Sequence, residues 1–279
     1  MKIIYTKEQL AEAVKHIKDS SKRIGFVPTM GALHEGHLTL MRQAKAENEV
    51  LICSIFVNPI QFNNAEDLER YPRMPEKDIA LIDSLCDVLF LPSVNEMYPT
   101  PPTESFHFGS LEKVMEGSCR PGHFNGVAIV VNRLFDMVCP DAAYFGKKDF
   151  QQLAIIRKMV ENTHRNIEIK TVDTVRENDG LAMSSRNKRL SETARKSAPF
   201  IFQTLTKAKE LTGTKQPQEV NRWIKEQFDQ RKEYQLEYAQ MVNGATLEDI
   251  TDYNQADSIV ICLAVWLDEV RLIDNITIK

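Results

Sequence analysis

The first two-thirds of the chain alternates short apolar runs with amphipathic segments. The apolar runs are KIIY, RIGFVPT, EVLICSIFVN, DVLFLP, AAYFG and IEIKTVDTV. In the segment EQLAEAVKHIKDS, Leu10, Val14 and Ile17 fall on one face at helical spacing. EVLICSIFVN is apolar without alternation, which is typical of a strand that is buried on both faces. Strands that alternate with amphipathic helices predict βαβ units and a parallel sheet.

The pattern changes at about residue 176. A polar loop, NDGLAMSSRNKRL (178–190), is followed by two helix-like segments, SETARKSAPFIFQTLTKAKEL and PQEVNRWIKEQFDQ. DSIVICLAVWLDEVRLIDNITIK then predicts two strands joined by a short turn, and hence an antiparallel element. We therefore expect an α/β fold with two domains: a Rossmann-like parallel-sheet domain (1–176) and a smaller α+β C-terminal domain (177–279).

Composition excludes several classes of protein. A net charge of -4 and a pI of about 5.9 over 279 residues argue against a general nucleic-acid binder. The longest apolar stretches (50–57 and 258–267) are too short to span a bilayer, and no signal-peptide core follows the first residues. The five cysteines are scattered without a CxxC motif. We expect free, mostly buried thiols in a cytoplasmic protein, with neither nucleic acid nor membrane as a partner.

The segment PTMGALHEGH (28–37) joins the predicted strand RIGFV to the helix HLTLMRQAKAEN. A strand, a glycine-containing turn and a helix N-terminus together favour phosphate, because unpaired N–H groups and the helix dipole attract an anion. His34 and His37 would face the same side of the first turn, where imidazole can donate to phosphate oxygens. A zinc helix usually carries HExxH, and no nearby Cys or His completes a ligand set. The remaining alternative is a pair of capping or solvent-exposed histidines.

A second candidate is SIFVNPIQF (54–62), where a buried strand ends at Asn58 and is followed by Gln61. Ligands of open α/β sheets bind beyond the carboxyl ends of strands. The two amides suit the hydroxyl and carboxylate groups of a small polar substrate. The alternative is that Asn-Pro is merely a turn, which the sequence alone favours.

A third candidate is AAYFGKKDFQQL (142–153), where a strand ends at Gly146. Lys147 or Lys148 could meet phosphate as a point charge, and Asp149 could cap the next helix or bind a ribose hydroxyl. The alternative is a solvated charged turn. The recurrence of polar residues at another strand end favours the ligand-binding interpretation.

Two further loops remain open. LAMSSRN (181–187) suits a mobile loop in which Arg186 neutralises charge on a leaving pyrophosphate. The alternative, for this segment in isolation, is an exposed linker between domains. EGSCRPGHFNGVAIVV (116–131) places Arg120 and His123 before an apolar helix. This second loop could pack against another subunit or bind an anion.

Taken together, the HxGH turn and the cationic serine loop resemble the nucleotidylyl-transferase superfamily. A closer resemblance is to the pantoate–β-alanine ligase (pantothenate synthetase) family and extends from about residue 24 to 276. The segments that match in order are PTMGALHEGHLTL, FVNPIQF, ERYPR, RPGHFNGV, YFGKKDFQQL, MSSRN and RLIDN.

The resemblance implies an activity in pantothenate (vitamin B5) and coenzyme A biosynthesis. Such a ligase condenses (R)-pantoate with β-alanine, using ATP as a substrate and releasing AMP and pyrophosphate. The carboxylate of pantoate first attacks the α-phosphorus, and the amine of β-alanine then attacks the acyl carbon of pantoyl adenylate. Adenylation requires stabilisation of charge on phosphate more than a protein nucleophile, which fits the lack of an evident Ser-His-Asp set.

The resemblance also implies residue roles. His34, His37, Lys148 and Arg186 are the expected catalytic residues, with His37 as an electrostatic stabiliser rather than the proton donor that the family assigns. The expected ATP site comprises Pro28, Thr29, Met30, Gly31, Ala32, Leu33, His34, Glu35, Gly36, His37, Gly146, Lys147, Lys148, Asp149, Val175, Met183, Ser184, Ser185 and Arg186. The expected residues for pantoate and β-alanine are Met30, Asn58, Gln61 and Gln152.

We expect no dedicated metal site, because Mg²⁺ would travel with the ATP phosphates, with Asp78 as the one candidate contact. The family forms homodimers, and FNGVAIVV is the expected interface segment. FNNAEDLERYPR lacks the glycine or proline that the family often has after the first Phe, which bears on the dynamics of this covering loop. The rival interpretations are another nucleotidylyltransferase, which typically lacks FVNPIQF and KKDFQQ, and a nucleotide sensor, which would have lost His37 or Lys148.

Overall fold

The computed structural model describes residues 1–279 and contains two β-sheets. The nine strands are β1 (Lys2–Ile4), β2 (Ile24–Thr29), β3 (Val50–Ile55), β4 (Val88–Phe90), β5 (Ala142–Gly146), β6 (Glu168–Val172), β7 (Tyr234–Asn243), β8 (Ile259–Leu267) and β9 (Val270–Thr277). The first six form a parallel sheet in the order β1-β4-β3-β2-β5-β6, and the last three form an antiparallel sheet in the order β7-β8-β9. The predicted α/β fold, a Rossmann-like sheet followed by a smaller α+β part, is confirmed.

The helices alternate with the parallel strands and then follow one another before β7. They are α1 (Lys7–Asp19), α2 (Glu35–Glu47), α3 (Ala65–Glu69), α4 (Pro75–Ile82), α5 (Val94–Met97), α6 (Met115–Cys119), α7 (His123–Val138), α8 (Phe150–Asn162), α9 (Glu192–Ser197), α10 (Phe200–Leu211) and α11 (Pro217–Asp229). The segment expected as one helix over 191–211 is divided between α9 and α10. The break comes at Pro199, because proline has no N–H to continue the helical hydrogen bonds.

The parallel sheet is buried on both faces. Alternate residues of β3 enter different cores: Ile52 packs with a 28-residue cluster, whereas Leu51 and Cys53 pack with a 14-residue cluster on the other face. This confirms the two-sided burial expected from the unbroken apolar run. A separate 20-residue cluster, from Leu181 to Leu272, forms the core of the C-terminal part.

The strand order reverses between β2 and β5. The chain passes from β2 through α2 to β3 on one side, and from β5 through α8 to β6 on the other. A crevice at the carboxyl ends of the strands opens at such a switch point and is the usual ligand site of open parallel sheets. β2 ends at Thr29 and β5 ends at Gly146. The HxGH turn follows β2 and the lysine turn (Lys147–Asp149) follows β5, so both turns begin at this crevice.

One strand lay outside the sequence prediction. β7 (Tyr234–Asn243) pairs with β8 along its length, but the register shifts between Leu236 and Tyr238. Its sequence, YQLEYAQMVN, interleaves polar and apolar residues without a regular period of two over its whole length. The shift breaks the alternation of faces, so the usual strand signal is weak.

The expected interface segment FNGVAIVV is largely committed to the core of a single chain. Phe124, Val127, Val130 and Val131 belong to the largest core cluster, and α7 packs against α1, α8 and β2. Since these side chains are already covered within one chain, the segment leaves few apolar atoms for a second subunit. The expectation that it forms the interface is therefore not supported.

Three of the five cysteines are buried. Cys53, Cys86 and Cys262 are buried free thiols as expected, whereas Cys119 and Cys139 are exposed. Each helix falls short of the combined length and apolarity that a bilayer crossing requires.

Candidate active site

The HxGH turn forms a reciprocal cap at the start of α2. Nδ1 of His34 accepts from the backbone N–H of Gly36 at 3.2 Å, and Nδ1 of His37 accepts from the backbone N–H of His34 at 3.3 Å. The two rings lie 4.1 Å apart. Because each Nδ1 is an acceptor, a neutral ring must carry its proton on Nε2. The capping interpretation is thus correct, and it leaves an Nε2–H donor on each histidine.

Both histidines are held in the neutral form. Burial, with the nearby Lys148 ammonium, lowers the pKa of His34 to about 4. Burial, with His34 and Lys148, lowers the pKa of His37 to about 3. At neutral pH the turn therefore presents two uncharged hydrogen-bond donors beside one fixed positive charge.

Asp78 fixes the backbone of the HxGH turn from behind. Its Oδ2 accepts from Ala32 N–H and its Oδ1 from Leu33 N–H, each at 2.8 Å. Gly31 and Ala32 both have positive φ angles, 79° and 51°, so this buried carboxylate holds a conformation that the chain rarely adopts unaided. Asp78 lies outside the cleft lining, which corrects its expected role as a contact for Mg²⁺.

A cleft of about 230 Å³ opens in front of the turn. It gathers residues from strand ends and loops that are far apart in sequence. The expected site residues that line it are Pro28, Thr29, Met30, His34, Gly36, His37, Gln61, Gly146, Lys148, Asp149, Gln152, Val175, Met183, Ser184, Ser185 and Arg186. The resemblance had implied a single site for these residues, and the structure brings them together.

Six expected site residues do not line this cleft: Gly31, Ala32, Leu33, Glu35, Asn58 and Lys147. Ala32 and Leu33 are buried behind the turn. The carboxylate of Glu35 pairs with Arg42 on the exposed side of α2. Lys147 pairs at 2.6 Å with Asp173, an exposed residue at the edge of the cleft, and of the two adjacent lysines only Lys148 lines the cleft itself. Within each turn, successive residues point in different directions, which the sequence motif does not show.

Asn58 supports Gln61 rather than facing the cleft. Asn58 is fully buried; its Nδ2 donates to Gln61 Oε1 at 3.0 Å and to Gly126 O at 3.1 Å, and its Oδ1 accepts from Tyr98 O–H at 2.8 Å. Because Gln61 Oε1 is occupied, the group that Gln61 offers is its Nε2 amide, which lies 3.0 Å from Met30 Sδ. The expected substrate contact by Asn58 is therefore corrected to an indirect one.

The RPGHFNGV segment (120–127) supports the turn over 59–61, which carries Gln61. Nδ1–H of His123 donates to Gln61 O at 2.8 Å, which leaves Nε2 of His123 to accept from Arg120 Nη1 at 3.2 Å. A Cβ at Gly126 would lie 2.5 Å from Ile60 O, so only glycine allows α7 to approach this closely. The sequence alone did not decide the role of this segment, and the structure shows that it packs behind Gln61. Its polar character gave no signal of that role.

The residues of the lysine turn and the two glutamines that follow it differ in burial and in whether they face the cleft. Lys148 is mostly buried, and its closest carboxylate is Asp149, at 3.8 Å. The carboxylate of Asp149 is half exposed and makes no capping hydrogen bond to α8. Gln151 is buried and bonded to Leu111 O and Val114 O, whereas Gln152 faces the cleft.

Ion pairs join the serine loop (181–187) and the residues just after it to α3. Asp67 accepts from Arg186 at 3.0 Å and from Arg189 at 3.2 Å, and the Arg186 guanidinium lies 5.9 Å from the centre of the Tyr71 ring. The sequence did not single out Asp67, because one carboxylate in the charged run AEDLER is equally explained by a solvated surface.

A second cavity, of about 550 Å³, adjoins the first and shares Lys148 and Arg186 with it.

Comparison with known proteins decides the family. The family model described as pantoate-beta-alanine ligase matches residues 2–277. The chain belongs to the pantoate–β-alanine ligase family. Its activity is therefore the ATP-dependent condensation of pantoate with β-alanine. The rival interpretations, another nucleotidylyltransferase or a nucleotide sensor, are excluded.

Ligases of this family resemble the chain over their whole length. The pantothenate synthetase of Porphyromonas gingivalis W83 is 48% identical over 99% of each chain, and that of Bacteroides thetaiotaomicron is 46% identical over 100% of this chain and 99% of the relative. The crystal structure of pantothenate synthetase from Thermus thermophilus is 41% identical and superposes with a TM-score of 0.94, covering 100% of both chains. Pantoate-beta-alanine ligase from Francisella tularensis, complexed with beta-gamma ATP and beta-alanine, is 35% identical with a TM-score of 0.82 and covers 99% of this chain and 97% of its own.

Proposed function

We propose that the condensation passes through an enzyme-bound pantoyl adenylate. A carboxylate oxygen of (R)-pantoate forms a bond to the α-phosphorus of ATP, and the bond to pyrophosphate breaks. The amine of β-alanine then forms a bond to the acyl carbon, AMP leaves, and the amine loses a proton. The observation that carries this proposal is that the two capping histidines, each left with an Nε2–H donor, and Lys148 line one cleft in front of the N-terminus of α2, since these groups recognise phosphate.

The ATP phosphates would lie between the HxGH turn, Lys148 and the serine loop. Arg186 now pairs with Asp67, so phosphate oxygens would share or replace that carboxylate when ATP binds. The half-exposed carboxylate of Asp149 lies 3.8 Å from the Lys148 ammonium and can also accept a hydrogen bond from a ribose hydroxyl. Val175 and Met183 provide apolar lining beside these polar groups.

The two histidines would stabilise charge without giving up a proton. With pKa values of about 4 and 3, the imidazoles of His34 and His37 are neutral at pH 7 and are poor sources of a proton at that pH. A neutral Nε2–H nevertheless donates a hydrogen bond that strengthens as negative charge grows on the phosphate oxygens. This supports the stabiliser role over the proton-donor role.

Pantoate would bind against Gln61, Gln152 and Met30. The Nε2 amide of Gln61 and the side chain of Gln152 can hold carboxylate and hydroxyl oxygens. Val127 and Val130 offer an apolar wall for the dimethyl group of pantoate. β-Alanine would enter beside Gln61, next to the acyl carbon of the adenylate.

Mg²⁺ would arrive on the ATP phosphates and supply charge neutralisation there. The chain has no group of three or more His, Cys, Asp or Glu side chains that could hold a metal ion. Lys148, Arg186 and the two histidine donors instead provide a lining suited to an anion. This donor set fits an ion that keeps phosphate and water as its ligands.

The decisive experiment is ATP–pyrophosphate exchange with and without pantoate. Exchange that requires pantoate but not β-alanine is the expected result, because only the first half-reaction forms pyrophosphate. Exchange that occurs only when β-alanine is present would contradict the adenylate and favour a concerted condensation.

A further inference from the structure

The C-terminal sheet reaches into the lysine turn through Asn275. Nδ2 of Asn275, on β9, donates to the carbonyl oxygens of Lys147 and Lys148, each at 2.9 Å. The side chain is buried. Because the two carbonyls are consecutive, one amide group fixes the orientation of both peptide planes.

Asn275 is itself held in place by a buried ion pair. Oδ1 of Asp274 accepts from the backbone N–H of Asn275 at 2.8 Å and from Arg176 Nη2 at 3.0 Å, while Oδ2 accepts from Arg176 Nη1 at 2.6 Å. Arg176 also donates to the carbonyl of Asn275 at 3.2 Å. The network joins the segment after β6 to β9, so the anchor of the lysine turn is rigid.

The lysine turn has no comparable support of its own. The short 3₁₀ turn over 147–149 begins at Gly146 without a side-chain cap, and Asp149 makes no capping bond to α8. Lys147 reaches outward to Asp173. The direction in which Lys148 leaves the backbone therefore depends on the two carbonyls that Asn275 holds.

We propose that Asn275 is a positioning residue for the adenylation step, because it sets the backbone that aims the Lys148 ammonium at the ATP phosphates. This inference rests on the proposed contact between Lys148 and phosphate. A side chain of the C-terminal part thereby takes part in a phosphate site that is otherwise built from the parallel sheet and the serine loop. Its contribution belongs to the first half-reaction, in which charge on the phosphates changes.

A double-mutant cycle tests the proposal by pyrophosphate exchange in the full-length enzyme. Asn275→Ala should slow exchange about 10- to 100-fold, the scale of misplacing a group by about 1 Å. In the Lys148→Ala background the same change should cost less than about twofold, since a residue that acts through Lys148 has nothing left to position. The attack of β-alanine on preformed pantoyl adenylate should stay near the wild-type rate in Asn275→Ala.

The matched control is Tyr238→Phe. It removes another hydrogen bond between the two parts, from Tyr238 O–H to Glu116 Oε1 at 2.8 Å, and this bond does not involve the lysine turn. Exchange should be unchanged. Asn275→Leu keeps roughly the size and branching of the side chain without its N–H donors or any new charge, and it replaces Asn275→Ala if thermal unfolding shows that the alanine variant does not fold.

The outcomes separate the possible failures. Losses that add in the double mutant would overturn the positioning role, because Asn275 would then act independently of Lys148. An equal loss in Tyr238→Phe would also overturn it, in favour of general docking of the two parts. Wild-type exchange in Lys148→Ala would instead overturn the proposed phosphate contact of Lys148, whatever Asn275 does.

Discussion

At the scale of single residues, the site depends on groups held in one protonation state. The Nδ1 atoms of His34 and His37 accept backbone N–H bonds, and burial keeps both rings neutral. A protonated ring would lose its Nδ1 acceptor and place a charge beside Lys148. The turn is therefore more stable when its histidines are uncharged.

This state predicts a pH dependence of stability. The pKa of His37 is about 3 in the folded chain and ordinarily about 6.5, so only the unfolded state gains a proton as pH falls from 7 towards 4. The free energy of unfolding should fall by about 1 kcal/mol from this residue between pH 7 and 5.5. In urea titrations, His37→Gln should lose that part of the pH dependence. An unchanged dependence would show that His37 titrates normally in the folded chain.

Adjacent glutamines should behave differently on substitution. Gln152 faces the cleft, so Gln152→Ala should abolish most pantoate-dependent exchange while calorimetric ATP affinity stays near wild type. Gln151→Ala removes buried hydrogen bonds to Leu111 O and Val114 O and should instead lower the free energy of unfolding by about 1–3 kcal/mol. A comparable loss of ATP affinity in Gln152→Ala would move this residue out of the pantoate site.

At the scale of elements, the parallel sheet was predictable because its signals are local. Apolar strands and amphipathic helices repeat in order, and the motif turns follow strand ends. The strand β7 was missed because its polar residues and register shift obscure the period of two. The helix break at Pro199 was also missed, although proline is a local signal that could have indicated it.

The packing of α7 against the turn over 59–61 gives a prediction at this scale. Gly126→Ala would place a Cβ 2.5 Å from Ile60 O and 2.8 Å from Gln61 Cα, so the helix must move away from Gln61. We expect about 1–3 kcal/mol lower stability, with weaker pantoate binding. Gly213→Ala, whose Cβ would lie 3.6 Å from Glu210 O, is the matched control and should be neutral. A Gly126→Ala enzyme with wild-type stability and pantoate affinity would contradict this.

At the scale of the whole molecule, the site joins segments from residue 28 to residue 275. The sequence motifs identified most residues of the cleft, but not which side chains point into it. The buried position of Asn58 and the outward direction of Lys147 depend on neighbours that are distant in sequence. The pairs Asp67–Arg186 and Asn275–Lys148 leave no local signal, since the partners lie 119 and 127 residues apart in the sequence.

We propose that the enzyme is a cytoplasmic homodimer and that each chain has two domains, 1–176 and 177–279. Light scattering should give twice the chain mass of 31.9 kDa, with the same mass in the presence of a reductant. Cys119 and Cys139 are the exposed thiols, and no disulfide is needed for the fold. A mass of one chain, or a dimer that dissociates when reduced, would contradict this proposal.

The central claim is that the HxGH histidines serve the phosphates during adenylation. The most direct measurement is rapid quench of each half-reaction in His37→Ala, with His16→Ala, on the exposed side of α1, as the control. Formation of pantoyl adenylate should slow by about 10²–10³, the usual cost of one such donor, while attack of β-alanine on preformed adenylate stays near the wild-type rate. Equal slowing of both half-reactions would contradict the account and assign His37 to the acyl group or to the fold.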